Sequence, residues 1–183
     1  MSQRLNLGLT GFSGTGKSTI SRYMAEKHDF LVLEGSDVLK QVAVEEGVSL
    51  SVRSDYESFF RQQQRIRGMS WLSEMVIKAE GARVMQGGLR SRYDFNNIKQ
   101  NGGHVLALVC PSEVCLERVD KTNPKNPQTP EEYVAQLEIE ESDDEYGLHT
   151  GWCVANADCT FDTSSPLEVT YAEIDAVISE LAK

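Results

Sequence analysis

The chain has 183 residues, 40% of them hydrophobic and 25% charged, which suits a single domain with an ordinary core and excludes a disordered chain. Its formal charge of −10 argues against sequence-independent nucleic-acid binding, which runs on basic surface. No apolar run approaches the ~20 residues of a membrane span and the N-terminus lacks a signal-peptide layout, so a cytoplasmic protein is expected.

The first element sets the theme. Leu5, Leu7 and Leu9, with Gly8 and Thr10, read as a short buried strand. Gly11-Phe12-Ser13-Gly14-Thr15-Gly16-Lys17-Ser18 follows and fits the phosphate-loop pattern G-x-x-x-x-G-K-[ST] at every fixed position. A helix follows, with Ile20, Met24 and Ala25 on one face and Lys27 and His28 near its end. Strand, glycine loop and helix is the context the motif requires. Successive N–H groups would form an anion-binding concavity, helped by the positive end of the helix. Lys17 would reach the terminal phosphates, and the Ser18 hydroxyl would ligate magnesium. Ser13 and Thr15 can bond backbone amides, which is all that a plain capping loop would ask of them. Such a loop explains neither Lys17 nor the strand before it.

Phe30–Leu33 reads as a second buried strand, running into Glu34-Gly35-Ser36-Asp37, where Ser36 or Asp37 can cap a helix. Ligands of open α/β sheets bind beyond the carboxyl ends of the strands, so Asp37 is expected to face the phosphate loop. It would orient magnesium or take the proton of an attacking oxygen, or serve only as a cap. Residues 41–80 look helical, interrupted near Gly47–Ser51. A buried stripe from Phe59, Phe60, Ile66, Met69, Trp71, Leu72, Met75 and Val76 lies within this region. Arg61, Arg65 and Arg67 cluster there. They either contact a phosphate of a second substrate or form a solvated face paired with Glu45, Glu46 or Glu57.

Ala82–Gln86 is the third strand candidate, closed by Gly87-Gly88. Arg90, just beyond it, is well placed to grip a phosphate. A short helix over Tyr93–Lys99 leads through the Asn101-Gly102-Gly103 turn to a buried strand at His104–Cys110. Pro111-Ser112 opens another helix. Three of the five prolines fall within Asp120–Pro130, an exposed loop suited to a lid over nucleotide. Glu131–Asp144 reads as an acidic, solvated helix, Thr150–Asn156 as a loop, Ala157–Asp162 as a fifth strand, and Pro166–Leu181 as a terminal helix with Leu167, Val169, Ile174 and Ile178 inward. Cys110, Cys115, Cys153 and Cys159 form no C-x-x-C pair, so zinc and catalytic-disulfide roles have little support. Alternating strands and helices imply an α/β fold whose parallel sheet is covered on both faces. There is no internal repeat and no interdomain linker. The chain is therefore one domain over 1–183, with an acceptor-binding helical region at about 38–80 and a lid at about 120–130.

Together these pieces resemble a P-loop kinase of the nucleoside monophosphate kinase group, in its adenylate-kinase-like and dephospho-CoA-kinase-like branch. Gly11–Thr19 has the G-x-x-G-x-G-K-S-T form, Gly35–Lys40 looks like the segment after the second strand, and Gly88-Leu89-Arg90-Ser91 like the one after the third. Cys115–Arg118, the proline-rich lid and Ala157-Asp158 look like the group's final third. The resemblance implies a P-loop NTPase fold with a five-stranded sheet in order 2-3-1-4-5. It also implies transfer of ATP's terminal phosphoryl group, with Mg2+, to a small phosphorylated acceptor. Carried over, the phosphate site is Gly11, Ser13, Gly14, Thr15, Gly16, Lys17, Ser18 and Thr19. Asp37 handles magnesium or the acceptor, Lys40, Arg67 and Arg90 face the acceptor, and Arg118 lies at the lid's base near ATP. The lid carries Lys121 and Lys125 where arginines are usual, and Gln86 stands where many relatives place an acidic residue near Gly87. Gly11–Thr19 and Leu33–Asp37 look equally like kinases of gluconate, shikimate or adenylylsulfate. A nucleotide-binding regulatory or assembly protein with slow hydrolysis is the other alternative.

Overall fold

The computed structural model describes residues 4–123, 126–141 and 144–183. Five parallel strands form one sheet in the order β2-β3-β1-β4-β5. β1 (Leu5–Thr10) is central and buried at all six positions, because β3 (Arg83–Leu89) and β4 (His104–Val109) flank it and helices cover both faces. Its sequence alternates leucine with Asn6, Gly8 and Thr10, and both sets are buried because both faces are covered. β2 (Leu31–Glu34) and β5 (Cys159–Asp162) are the edges and are correspondingly more exposed.

The principal core packs Leu7, Leu9 and Leu106 of the sheet against Ile20 and Met24 of α1 (Lys17–His28) and against Ile174 and Ile178 of α9 (Leu167–Leu181). Each of these side chains is essentially fully buried and contributes about 1.5–3 kcal/mol relative to exposure. A hydrogen-bonded knot joins α1 to α9: Asp175 accepts from the Tyr23 hydroxyl and lies 2.7 Å from His28 Nε2. Leu167 and Val169, expected inward, are exposed in the first turn of α9.

A second cluster lies over the carboxyl end of β2. It is built by α2 (Gly35–Glu45), α3 (Arg53–Arg67) and α4 (Trp71–Lys78), with Val42, Phe59, Phe60, Trp71 and Leu72 at its centre. The expected break near Gly47–Ser51 separates α2 from α3. A second break falls at Gly68, which ends α3 with φ +104. Ile66 and Met75 therefore leave the buried stripe and are exposed.

Beyond β3, α5 (Arg92–Gln100) leads to β4, and α6 (Ser112–Arg118) follows. α7 (Pro130–Glu140) starts at a Thr129 cap whose hydroxyl accepts from the Glu132 N–H. The segment expected as a loop at 150–156 is largely helical, α8 (Thr150–Ala155). It buries Cys153 against Phe95 and Ile98 of α5. All four cysteines are free. β3 is longer than expected, since Gly87 and Gly88 continue it rather than closing it.

Candidate active site

The carboxyl ends of β1, β2 and β3 open into a cleft of about 870 Å³. The phosphate loop forms one side of it, with Ser13, Gly14, Thr15, Gly16, Lys17, Ser18 and Thr19 in its wall. Gly11, Gly14 and Gly16 all have positive φ. At Gly14, φ is +82 and a Cβ would stand 2.3 Å from the Cys115 carbonyl oxygen, so only glycine lets the loop pass α6. The loop is pinned from two distant elements. The Tyr133 hydroxyl of α7 donates to the Ser13 carbonyl at 3.0 Å, and the Thr163 hydroxyl donates to the Thr15 carbonyl at 3.1 Å. Lys17 folds back to donate to the Phe12 carbonyl at 2.6 Å. Burial, reinforced by the nearby Arg90 and Arg53 charges and opposed by Glu140 and Glu34, lowers its pKa to about 7. Arg118 lines the same half of the cleft and is fixed by donating to the Thr163 carbonyl at 2.7 Å.

The other half presents Glu34, Gln86 and Arg90 beside Arg53, Glu57 and the apolar wall of Tyr56, Phe60, Leu72 and Leu148. Glu34 is the last residue of β2, and its Oε1 is buried without a hydrogen-bond partner among the described residues. Arg53 donates to Glu57 at 3.0 Å and to Glu140, and Arg90 donates to the same Glu140 oxygen at 2.5 Å. Beneath them Asp94 accepts from the Ser73 N–H at 3.0 Å and from Gln86 at 3.4 Å. Burial raises its pKa to about 6, against those hydrogen bonds.

The expected acceptor residues divide. Arg90 reaches the cleft. Asp37 does not: it sits in the first turn of α2, 67% exposed, paired with Lys40 at 2.8 Å. Lys40 turns outward with it. The reason is geometric, because α2 starts directly at Gly35 and its first turn carries Asp37 away while Glu34 stays at the strand end. Arg67 is drawn off by Gln63 at 2.5 Å and Glu46 at 3.1 Å, which is the paired-face alternative. Arg61 pairs with Asp144 rather than with Glu45, Glu46 or Glu57. In the lid segment Asp120, Asn123 and Asn126 line the cleft, Lys121 is exposed, and Lys125 lies outside the described residues.

Arg53, Glu140 and Asp94 were not singled out in the sequence. Glu140 belongs to a helix expected to be solvated, yet its side chain is fully buried. Its phase was the available signal, since Tyr133, Gln136 and Glu140 fall on one buried face.

No group of three or more His, Cys, Asp or Glu side chains placed to hold a metal occurs among the described residues. Magnesium in such a site would be held by one hydroxyl, phosphate oxygens and water, and Ser18 in the loop wall fits that demand. Glu34, with its unpartnered oxygen in the same cleft, fits a water-mediated share.

Comparison with known proteins decides the family. The family model described as an AAA domain matches residues 7–146. The chain belongs to this family of P-loop kinase domains. A shikimate kinase from Sulfurihydrogenibium sp. (strain YO3AOP1) is 30% identical over 169 residues, covering 90% of this chain and 92% of that one. Among solved structures, the shikimate kinase from Acinetobacter baumannii in complex with shikimate superposes with a TM-score of 0.66 at 19% identity, covering 100% of this chain and 97% of that one. A gluconokinase from Sinorhizobium meliloti 1021 gives 0.56 at 19% identity, covering 100% and 95%. At those identities the structural likeness shows the fold, which is the expected P-loop fold with sheet order 2-3-1-4-5. These relatives stand with the small-metabolite alternative rather than with the nucleoside monophosphate or dephospho-CoA branch. P-loop kinases of this kind use ATP with Mg2+, and the loop of this AAA-family chain has the residues for both. No helix among the described residues is long and apolar enough to cross a membrane.

Proposed function

We propose that the chain is an ATP-dependent phosphotransferase acting on a hydroxyl of a small metabolite. The observation that carries this reading is the position of Glu34. A carboxylate with an unpartnered oxygen shares one cleft with Lys17 and the phosphate loop, beside an apolar compartment with room for a second substrate. The loop amides, Lys17 and Thr19 hold the polyphosphate of ATP; Ser18 would hold Mg2+, which would supply charge neutralisation at the phosphates. Arg118 supports that charge from the side of the lid. Glu34 accepts the hydrogen bond of the attacking hydroxyl and orients its oxygen toward the terminal phosphorus. Arg53 and Arg90 frame the acceptor. From the lid segment Asp120, Asn123 and Asn126 face the nucleotide, and the helices of 38–80 build the acceptor's walls.

The test is a coupled assay of ADP release with ATP, Mg2+ and a panel of acceptor alcohols. Acceptor-dependent release supports the kinase. Tight ATP binding with slow release that no acceptor accelerates would instead support a regulatory nucleotide-binding protein.

A further inference from the structure

The cleft's acceptor half is already charge-matched from within. Glu140, the last residue of α7, stands behind Arg53 and Arg90 with its side chain fully buried. Its Oε1 accepts from both guanidinium groups and from Gln136 at 2.8 Å. Arg53 is further engaged by Glu57. Two arginine charges thus face Glu140 and Glu57, and Glu34 and Asp94 add two more carboxylates to the same half. An incoming carboxylate or phosphate would meet four carboxylates against two guanidinium groups in that half, with Lys17 on the phosphate-loop side of the cleft. It would also compete with the buried Glu140 carboxylate for Arg53 and Arg90.

The polar floor asks for the opposite kind of ligand. Glu34 Oε1 and Gln86 Oε1 are both buried without hydrogen-bond partners among the described residues, and both residues line the cleft. Orphaned acceptor oxygens are satisfied by the O–H donors of a polyhydroxylated ligand, and a carboxylate or phosphate group placed against them would bring none. Tyr56, Phe60, Leu72 and Leu148 cover the remaining wall with apolar surface.

We infer that the acceptor is an uncharged polyhydroxylated alcohol with an apolar face, and that Glu140 is the residue that turns away acceptors bearing a carboxylate or phosphate. The inference rests on the kinase reading. It separates this chain from the shikimate kinases and gluconokinase it resembles, whose named substrates are carboxylates. Selectivity here comes from a built-in competitor for the arginines, a repulsive element rather than a new attractive one.

Matched acceptor pairs differing only in charge test it: glucitol against gluconate, methyl shikimate against shikimate, adenosine against AMP. In the ADP-release assay the wild-type chain is expected to favour the neutral member of the pair it uses, by about tenfold or more in kcat/KM. Glu140→Gln should raise the ratio of anionic to neutral kcat/KM by about tenfold, because both arginines regain unspent charge. Glu57→Gln, which touches only Arg53 at the rim, should move the ratio the same way by a smaller factor and serves if the first variant does not fold. Calorimetric binding of each pair to protein loaded with Mg2+ and a non-hydrolysable ATP analogue reads the same preference without turnover. Neutral-selective binding without ADP release would fail the kinase reading and leave the charge rule standing. A wild-type preference for the anionic members, a ratio unmoved in both variants, or no binding of any neutral member would overturn the inference.

Discussion

Glu34 and Gly87 are register partners at the carboxyl ends of β2 and β3, and the Glu34 carboxylate lies over Gly87 so closely that a Cβ there would meet its oxygen at 2.3 Å. The glycine is an absence that makes space for an acid. Gln86 precedes Gly87 on β3, and the carboxylate at this corner comes from the neighbouring strand. Glu34 lines the cleft that Lys17 shares, with its unpartnered Oε1 held against Gly87.

That relationship ranks two acids that the sequence places side by side. Glu34→Gln keeps the shape and removes the negative charge, and should lower kcat by a factor of about 10²–10⁴ with ATP affinity little changed. Asp37→Asn should leave kcat within about threefold, because an exposed i,i+3 pair contributes at most a few tenths of a kcal/mol. Steady-state kinetics of the two variants decide it. Equal losses in both would return Asp37 to the site.

Lys17 predicts a pH signature of nucleotide binding. In the free protein its pKa is about 7, whereas bound polyphosphate requires the charged form. Below pH 7 the lysine is already charged and binding takes up no proton at this group. Above pH 7 binding should take up as much as one proton, and the Kd should rise by up to about tenfold per pH unit until the complex itself titrates. Calorimetry in two buffers of different ionisation enthalpy counts the protons. Linkage also makes folding stability rise with pH between 7 and 10.5, because there the unfolded chain holds a proton that the folded one has lost. Lys17→Met should abolish both effects together with most of the nucleotide affinity.

Arg90 and Glu140 are tied as tightly to the fold as to the acceptor. Truncating Arg90 to Ala leaves the buried Glu140 carboxylate with Arg53 and Gln136 alone, and because Arg53 still offsets its charge the loss should be less than that of a fully stranded buried charge, about 3–5 kcal/mol. Denaturant midpoints should fall accordingly. The double variant Arg90→Met with Glu140→Met should recover part of that loss, since replacing both partners with apolar groups of similar size removes the stranded charge. A double variant no better than Arg90→Ala would show that the pair's geometry, not its charge, supports α7.

Asp94 gives stability the opposite pH slope. Its folded pKa of about 6 lies above the ordinary 3.8, so the folded chain binds more protons between those values and stability falls as pH rises through that window. For one fully buried group this amounts to about 3 kcal/mol. Asp94→Asn retains an acceptor for the Ser73 N–H and should remove that component of the slope. The wild-type-minus-variant difference in unfolding free energy, followed from pH 4 to 7, reads it directly. A difference that does not change with pH would mean that Asp94 titrates normally.

The strand–loop–helix unit could be read from the chain because its determinants are local. Apolar runs become central strands once both faces are covered, and glycines at fixed spacing allow the positive φ that the loop adopts. The parallel sheet follows from the alternation of strands and helices, and the phosphate site from one contiguous motif. The acceptor half was not legible in the same way. Whether Glu34 or Asp37 faces the cleft depends on where α2 begins, and a shift of one helical turn reverses the answer. Arg53, Arg90 and Glu140 meet from three elements separated by up to 87 residues. Local phase could place Glu140 on the buried face of its helix, but it carries no information about which charges meet it there. The sequence alone determined that this chain grips polyphosphate, because that grip is made by consecutive backbone amides. Only the tertiary structure decided which charges stand opposite it, because buried ion pairs form between residues that packing, not chain order, brings together.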